Sequence, residues 1–154
     1  MMTKERVPEL SENHKRAISA ALGTLDKDLC EAEMFCKGRE IHSIFYNERN
    51  NLSLRQRKNI LVEIARIREI LQELKNGLAL ESDVRDISKR ILGSNAILWA
   101  DLIETEEKSL RRYGKTPSGF ADYLDPRIEK LLGHLETISA IAHVSEGIEP
   151  QSGI

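Results

Sequence analysis

Apolar residues recur along most of the chain at alternating steps of four and three positions, which places them on one face of a helix. The first set follows a predicted N-cap at Ser11, and the second follows a predicted capping box at Ser53. A third follows Ser82, and a fourth follows Asp125 and Pro126, an N-cap with proline at the first helical position. The pattern therefore predicts four amphipathic helices. Their apolar stripes are Ile18, Leu22, Leu25, Leu29, Ala32 and Cys36; Ile60, Ile64, Ile67, Leu71, Leu74 and Leu78; Val84, Ile87, Ile91, Ser94, Leu98 and Leu102; and Ile128, Leu131, Leu135, Ile138 and Ala142.

Two glycines interrupt these stripes. After Cys36 the apolar phase changes at Gly38, where the helix either ends and a short one follows or kinks and continues. No turn-forming cluster follows Gly38, so we predict a kinked first helix that continues to about Tyr46. Gly93 and Ser94 interrupt the third stripe without loss of phase, which predicts a bend in that helix.

Short polar links join the four stripes, which is typical of an antiparallel up-down-up-down four-helix bundle of the all-α class. We expect the third helix to reach Arg112 and residues 115–124 to form the longest loop. A chain of 154 residues fits one domain, 1–154, with terminal tails at 1–10 and 147–154.

Charge narrows the function classes only weakly. The net charge is −2, made up of +2 in residues 1–77 and −4 in residues 78–154, so neither half is basic enough to indicate a nucleic-acid partner by charge alone. The N-terminus has no apolar core of a signal peptide, the apolar runs are far shorter than a membrane span, and only two cysteines are present. We therefore expect a cytoplasmic protein with no membrane partner.

No metal or cofactor signature is present. None of the four histidines has a glutamate three positions before it, as a di-iron bundle would require. Cys30, Cys36 and His42 are six positions apart, which matches no zinc signature, and Cys36 falls on a core stripe. Phosphate-binding glycine loops and the nucleophile elbow are also missing. We expect no cofactor and no metal.

One pair of residues has a catalytic parallel. Arg127 and His134 lie seven positions apart on one face of the fourth helix, a spacing that resembles the Arg-(four to six residues)-His signature of a family of helical-bundle ribonucleases. The resemblance implies RNA cleavage at His134. About one such pair is expected by chance in a chain of this composition, because motifs this short recur at random. We therefore interpret the pair as a surface arginine and a partly buried histidine, and predict no enzyme.

Basic residues concentrate where the second helix begins and the third ends, which would be one end of the predicted bundle. Cations in a first turn oppose the helix dipole, so helix stability does not explain them. Acidic neighbours could neutralise the group through ordinary surface ion pairs, in which case this end is only a solvated face; they are Glu48, Glu104, Glu106 and Glu107. This basic end is the predicted anion or partner surface, and its residues are Arg49, Arg55, Arg57, Lys58, Arg111, Arg112 and Lys115.

Three function hypotheses follow from these patterns. The sustained heptad stripes favour a non-enzymatic helical protein that acts through protein–protein interaction and self-associates, a homodimer being the simplest form. The first alternative is a module that binds nucleic acid or another polyanion at the basic end. The second is an export chaperone that holds an amphipathic helix of its partner in a groove.

Overall fold

The structure is a computed structural model, and it describes residues 9–143. Within that range the chain forms five α-helices, one short 3-10 helix at Arg111–Tyr113 and no β-strand. The α-helices are α1 (Glu12–Cys36), α2 (Leu54–Gly77), α3 (Ile87–Ile103), α4 (Glu107–Leu110) and α5 (Phe120–His143). The predicted all-α class is confirmed. The predicted tail at 147–154 and most of the tail at 1–10 lie outside the described residues.

The chain divides into two compact units, Met1–Ser82 and Asp83–Ile154. The first unit holds α1 and α2, and the second holds α3, α4 and α5. Each unit is built around one antiparallel pair of long helices. The up-down four-helix topology and the single domain stay predictions.

The first unit is a hairpin whose helices begin where the sequence predicted. The Ser11 hydroxyl accepts a hydrogen bond from the backbone N–H of His14 at 3.2 Å. Ser53 and Gln56 form a complete capping box, in which the hydroxyl and the amide oxygen each accept a backbone N–H. Each cap satisfies N–H groups that the first turn of a helix leaves without a partner.

The predicted stripes of α1 and α2 face each other. Leu29 and Cys36 are buried on α1, Ile64 is buried on α2, and most of the other stripe residues are half-buried. Arg57 lies beside Gly38, whereas Arg68 reaches Glu33, so the two helices run antiparallel. The heptad stripes of α1 and α2 therefore pack against each other within this hairpin.

The prediction of a kinked first helix that continues to Tyr46 is wrong. α1 ends at Cys36, and residues 37–53 are not helical. Gly38 has a φ of +93°, a left-handed conformation that favours glycine and stops the helix. The loss of apolar phase after Cys36 therefore marked the end of the helix.

In the second unit α3 packs against α5 around a buried amide. The side-chain amide of Asn95 donates to the Leu135 carbonyl at 3.3 Å and to the Ser139 hydroxyl at 3.1 Å. Ile128 and Leu132 are the buried apolar residues of α5. Since Asn95 meets residues 135 and 139 while Glu107 meets Asp125, these helices are also antiparallel.

In the second hairpin the predicted apolar stripes do not face each other as they do in the first. α3 faces α5 through Leu92 and Asn95, whereas Ile91 and Leu98 of the predicted stripe are exposed. On α5 the predicted stripe residues Ile128 and Leu135 face inward, but Leu131 and Ile138 are exposed. The consequence is an open surface, which we call the α3/α5 apolar face. It comprises Ile87, Ile91, Leu98, Leu131, Ile138 and Ile141.

The predicted boundaries of the third helix are wrong at both ends. α3 begins after Asp86, while the Ser82 hydroxyl accepts a hydrogen bond from the Lys75 ammonium at 2.9 Å. α3 ends at Ile103, and the chain then forms α4 and a 3-10 turn before Gly114. The helix continues through Gly93, and the predicted bend there stays a prediction.

The fourth predicted helix begins earlier than expected. α5 starts at Phe120, directly after Gly119 with its φ of +79°, so the loop before it is shorter than predicted. Pro126 therefore lies inside the helix, where it cannot donate to the carbonyl four residues before it. Asp125 does not cap α5. Its carboxylate accepts the N–H of Glu107 at 2.9 Å and so caps α4.

Candidate functional site

The loop between α1 and α2 is held by the side chain of Asn50. Its amide nitrogen donates to the carbonyls of Phe35 at 2.8 Å and Arg39 at 3.3 Å, and its backbone N–H donates to Glu40 at 2.8 Å. The Phe35 carbonyl, at the end of α1, also accepts the backbone N–H of Gly38 at 3.0 Å, so Asn50 adds a second hydrogen bond to it. One residue thus fastens the loop to the helix that precedes it.

The middle of this loop turns tightly and presents apolar side chains to solvent. His42 and Asn47 form an isolated antiparallel bridge, and the backbone N–H of Ser43 donates to the Tyr46 carbonyl at 2.9 Å. Ile44 and Phe45 lie at the turn with 92% and 98% of their surfaces exposed. Tyr46 is also exposed. We call Ile44, Phe45 and Tyr46 the loop tip.

Sequence reasoning missed the loop tip because it assigned these residues to the first helix. The only signal was that Ile44 and Phe45 do not continue the apolar phase of α1. Apolar residues that lie off the stripe of their helix would not contact the other helix of the hairpin. That mismatch indicated that the helix had ended.

Four of the predicted surface residues belong to the first unit. Arg55, Arg57 and Lys58 lie in the first two turns of α2, and Arg49 lies in the loop just before it. Arg57 is fixed by a hydrogen bond from its Nε to the Leu52 carbonyl at 3.2 Å. Among residues 9–143, none of these four side chains forms an ion pair with a carboxylate. Their positive charge is therefore left to solvent or to a ligand.

A shallow groove of about 600 Å³ runs along α2 beside these cations. Its floor is apolar, and basic side chains line one end. The lining residues are Cys36, Lys37, Leu54, Arg57, Lys58, Leu61, Val62 and Ala65. Leu54 is strongly exposed, although it is the first residue of the helix. The basic end of the first unit thus combines cationic and apolar surface.

The other three predicted surface residues belong to the second unit and are largely engaged. Arg111 forms an ion pair with Glu107 at 2.7 Å, and Arg112 forms one with Glu104 at 2.8 Å. Lys115 lies in the exposed loop after Gly114. The predicted neutralisation by glutamates is confirmed for the two arginines, which makes them poor candidates for an anion site.

Glu107 is the centre of that arrangement. It is buried, and its carboxylate accepts hydrogen bonds from Arg111 at 2.7 Å and from the Thr116 hydroxyl at 2.6 Å. These donors favour the ionised form, the arginine most strongly, and lower the pKa of Glu107 below its ordinary value. Together with the Asp125 cap on its own N–H, the network fixes α4 against α5, so its role is structural.

The ribonuclease-like pair is not brought together. The Arg127 guanidinium donates to the Tyr123 carbonyl at 2.6 Å and stacks on the Tyr123 ring at 3.9 Å, toward the start of α5. His134 lies about two turns after Arg127, toward the C-terminal end of α5, and is exposed. The prediction of a surface arginine is therefore confirmed, whereas the prediction of a partly buried histidine is wrong.

The cysteines divide as a buried and an exposed thiol. Cys36 is buried in the first hairpin, as its place on the apolar stripe predicted. Cys30 is exposed and lies 3.9 Å from a guanidinium nitrogen of Arg68. Within residues 9–143 no three His, Cys, Asp or Glu side chains are grouped so as to hold a metal ion.

The base of the loop contains one titratable pair, from which we derive a pH prediction. His42 Nε2 lies 2.7 Å from a Glu40 carboxylate oxygen, and this hydrogen bond raises the pKa of His42 above its ordinary value. We expect an NMR titration of the imidazole to show the raised pKa, and Glu40→Gln to lower it. As a control, Glu48→Gln should lower it less, because Glu48 acts only through its charge.

The sign of the effect on stability follows from the direction of each shift. A raised pKa of His42 stabilises the fold below the unfolded-state pKa, and this contribution is lost as the pH rises through the folded-state pKa. The pKa of Glu40 is lowered, first by the Asn50 N–H and then by His42, so its contribution is lost in acid. Loop stability should therefore be greatest between the two titrations. A pKa of His42 that does not respond to Glu40→Gln would contradict the pairing.

Comparison with known proteins does not extend these observations. No match was found with models of known protein families, with curated proteins or with solved structures. Within residues 9–143, no helix combines the length and the apolar character needed to cross a bilayer.

Proposed function

We propose that the chain is a non-enzymatic helical protein that acts through protein–protein interaction and self-associates in the cytoplasm. The observation that carries the proposal is the α3/α5 apolar face, a helical surface with the heptad spacing of a packed seam that no other part of its own unit covers within residues 83–143. Apolar surface of this kind marks interaction sites, because contact with water is unfavourable for it.

The open residues of α3 and α5 lie on one side of their hairpin. Ile91 and Leu131 each come one residue before an inward-facing residue of their helix, which is a rotation of about 100°. Because the two helices are antiparallel, the same rotation turns both stripes toward the same side. The result is a continuous two-helix face rather than scattered exposed side chains.

The composition of this face suits a second copy of the chain. The intervening heptad positions hold Ser94 and His134, and no Lys, Arg, Asp or Glu interrupts the stripes. Two copies related by a two-fold axis can therefore meet without burying like charges. Packing α3 and α5 on their symmetry mates would complete a four-helix bundle with left-handed, shallow crossings.

The first hairpin is a weaker candidate for covering this face. Its own heptad stripes are already directed at each other, around Leu29 and Ile64. The second hairpin leaves apolar residues of both its long helices exposed at heptad spacing. We therefore propose that the predicted antiparallel four-helix bundle is completed between two chains.

Sedimentation equilibrium across a wide concentration range tests the proposal directly. We expect a concentration-dependent shift from the mass of one chain to twice that mass. The dissociation should respond little to salt, since the face carries no ion pair. A single-chain mass at every concentration, up to the highest that stays soluble, would overturn self-association and favour a bundle closed within one chain.

A further inference from the structure

The side chains of the loop tip are exposed to solvent, and the fold of the first unit does not require apolar residues at these positions. Ile44 and Phe45 lie at a bend between Ser43 and Tyr46, and the Ser43 N–H donates a hydrogen bond across the bend to the Tyr46 carbonyl. Turns of this kind are ordinarily formed by Gly, Asn, Asp or Ser, which are compatible with the backbone and with water. Aliphatic and aromatic side chains there gain nothing from local structure. They are held outward by a backbone that Asn50 fastens to α1.

Basic residues lie on both sides of the tip in the sequence. Residues 37–58 contain six Lys or Arg and two Glu, a net charge of +4 in a chain whose total is −2. Of the two carboxylates, Glu40 is occupied by the Asn50 N–H and by His42. The cations lie in the loop and at the adjoining ends of α1 and α2. They are Arg39, Arg49, Arg55, Arg57 and Lys58, together with Lys37, which is paired with Glu33 at 2.9 Å.

We propose that this end of the first unit binds the surface of an anionic lipid bilayer, with Ile44 and Phe45 inserted among the acyl chains. Phosphate and carboxylate headgroups would meet Arg49, Arg55 and Lys58, which have no carboxylate partner within residues 9–143. Tyr46 would lie at headgroup depth, where an aromatic ring with one polar end is favoured. Apolar insertion and a basic patch supply the two signals that stable peripheral binding needs.

The chemistry of the tip favours lipid over nucleic acid. Stacking of bases requires aromatic faces, and Ile44 offers none although it is 92% exposed. An acyl environment favours the burial of Ile44 and Phe45 alike. Surface binding to lipid departs from the expectation of no membrane partner, which rested on apolar runs too short to span a bilayer.

Co-sedimentation with vesicles tests this inference on the full chain. We expect binding to vesicles of phosphatidylcholine with phosphatidylserine, little binding to phosphatidylcholine alone, and a decrease with added salt. The double variant Ile44→Ser, Phe45→Ser should weaken binding on the order of tenfold or more. Ile70→Ser is the matched control, because it removes an exposed isoleucine of the same unit outside the tip.

A second variant tests the contribution of the basic residues separately from that of the apolar tip. Replacing Arg49, Arg55 and Lys58 together by glutamine should weaken binding on the order of tenfold and reduce its response to salt. Circular dichroism should show unchanged helix content, since the altered side chains are exposed. No binding to phosphatidylserine vesicles, or equal binding by the tip variant, would overturn the proposal. Preferential binding of a single-stranded oligonucleotide, lost in the tip variant, would assign the surface to nucleic acid instead.

Discussion

Replacing Ile64 by alanine is expected to lower the free energy of unfolding by about 2–5 kcal/mol. Ile64 is the most deeply buried apolar residue of the first hairpin, with 4% of its surface exposed. The substitution removes three carbon atoms from a buried site between α1 and α2, and leaves a cavity that the hairpin can close only in part. Urea denaturation followed by circular dichroism measures the change.

The same substitution at Ile70 is the control for Ile64→Ala. Ile70 lies on the same helix with 55% of its surface exposed, so its removal should change the free energy by about 0.5 kcal/mol or less. Equal losses at the two positions would contradict the packing of α1 on α2 through their predicted stripes. A large loss at Ile70 alone would show that the exposed side of this hairpin is covered.

Replacing Leu98 by glutamate is expected to abolish self-association at ordinary protein concentrations. Leu98 lies on the α3/α5 apolar face with 47% of its surface exposed, and a carboxylate there would be buried without a partner in the dimer. Loss of a central interface residue costs about 2 kcal/mol or more, and each dimer contains two copies. A total of about 4 kcal/mol corresponds to roughly a thousandfold in Kd.

Ile97→Glu provides the matched control for the interface. Ile97 is adjacent in sequence and more exposed, at 66%, but it is turned away from α5 on the far side of α3. This variant should sediment like the unaltered protein. If Leu98→Glu and Ile97→Glu weakened association equally, the interface would not be the α3/α5 apolar face.

The sequence predicted the packed sides and the starts of α1 and α2 correctly, because each was indicated by its own local signal. The heptad stripes of α1 and α2 gave the packed sides, and the hydroxyls of Ser11 and Ser53 gave the starts. Both kinds of signal are local, since a cap and an apolar repeat depend on residues a few positions apart. Local signals are those that a sequence displays directly.

Prediction failed where a side chain acts on a distant segment. Asp125 and Pro126 form a strong helix start by local rules, yet the Asp125 carboxylate caps Glu107, eighteen residues earlier. Asn50 likewise holds the end of α1 from fifteen residues away. Nothing in the neighbouring residues indicates such a partner, so helix ends that depend on it were placed wrongly.

The register of the second hairpin could not be predicted from periodicity. α3 has two usable sides, one with Leu92 and one with Ile91, and apolar spacing alone does not say which of them faces α5. The structure directs Leu92 and the polar Asn95 inward. A polar residue at the centre of a packed seam is not what a hydrophobic pattern indicates.

The sequence showed which residues of the predicted basic end are cationic, but it did not show which of them form ion pairs. The sequence grouped Arg55 with Arg111 because both are basic and close to helix ends. In the structure Arg111 is bound to Glu107, whereas Arg55 has no carboxylate partner in the part of the chain that the structure describes. Pairing depends on rotamers and on tertiary neighbours, which composition does not contain.

The amide of Asn95 fixes how far α3 can slide along α5. A shift by one helical turn would leave its N–H groups without the Leu135 carbonyl and the Ser139 hydroxyl, and a buried donor without an acceptor is costly. Purely apolar seams tolerate such shifts, because one leucine replaces another with little loss. Asn95 therefore fixes the position of Leu98 relative to Ile138 along the helix axes. A surface of constant shape is what repeated recognition by an identical copy requires.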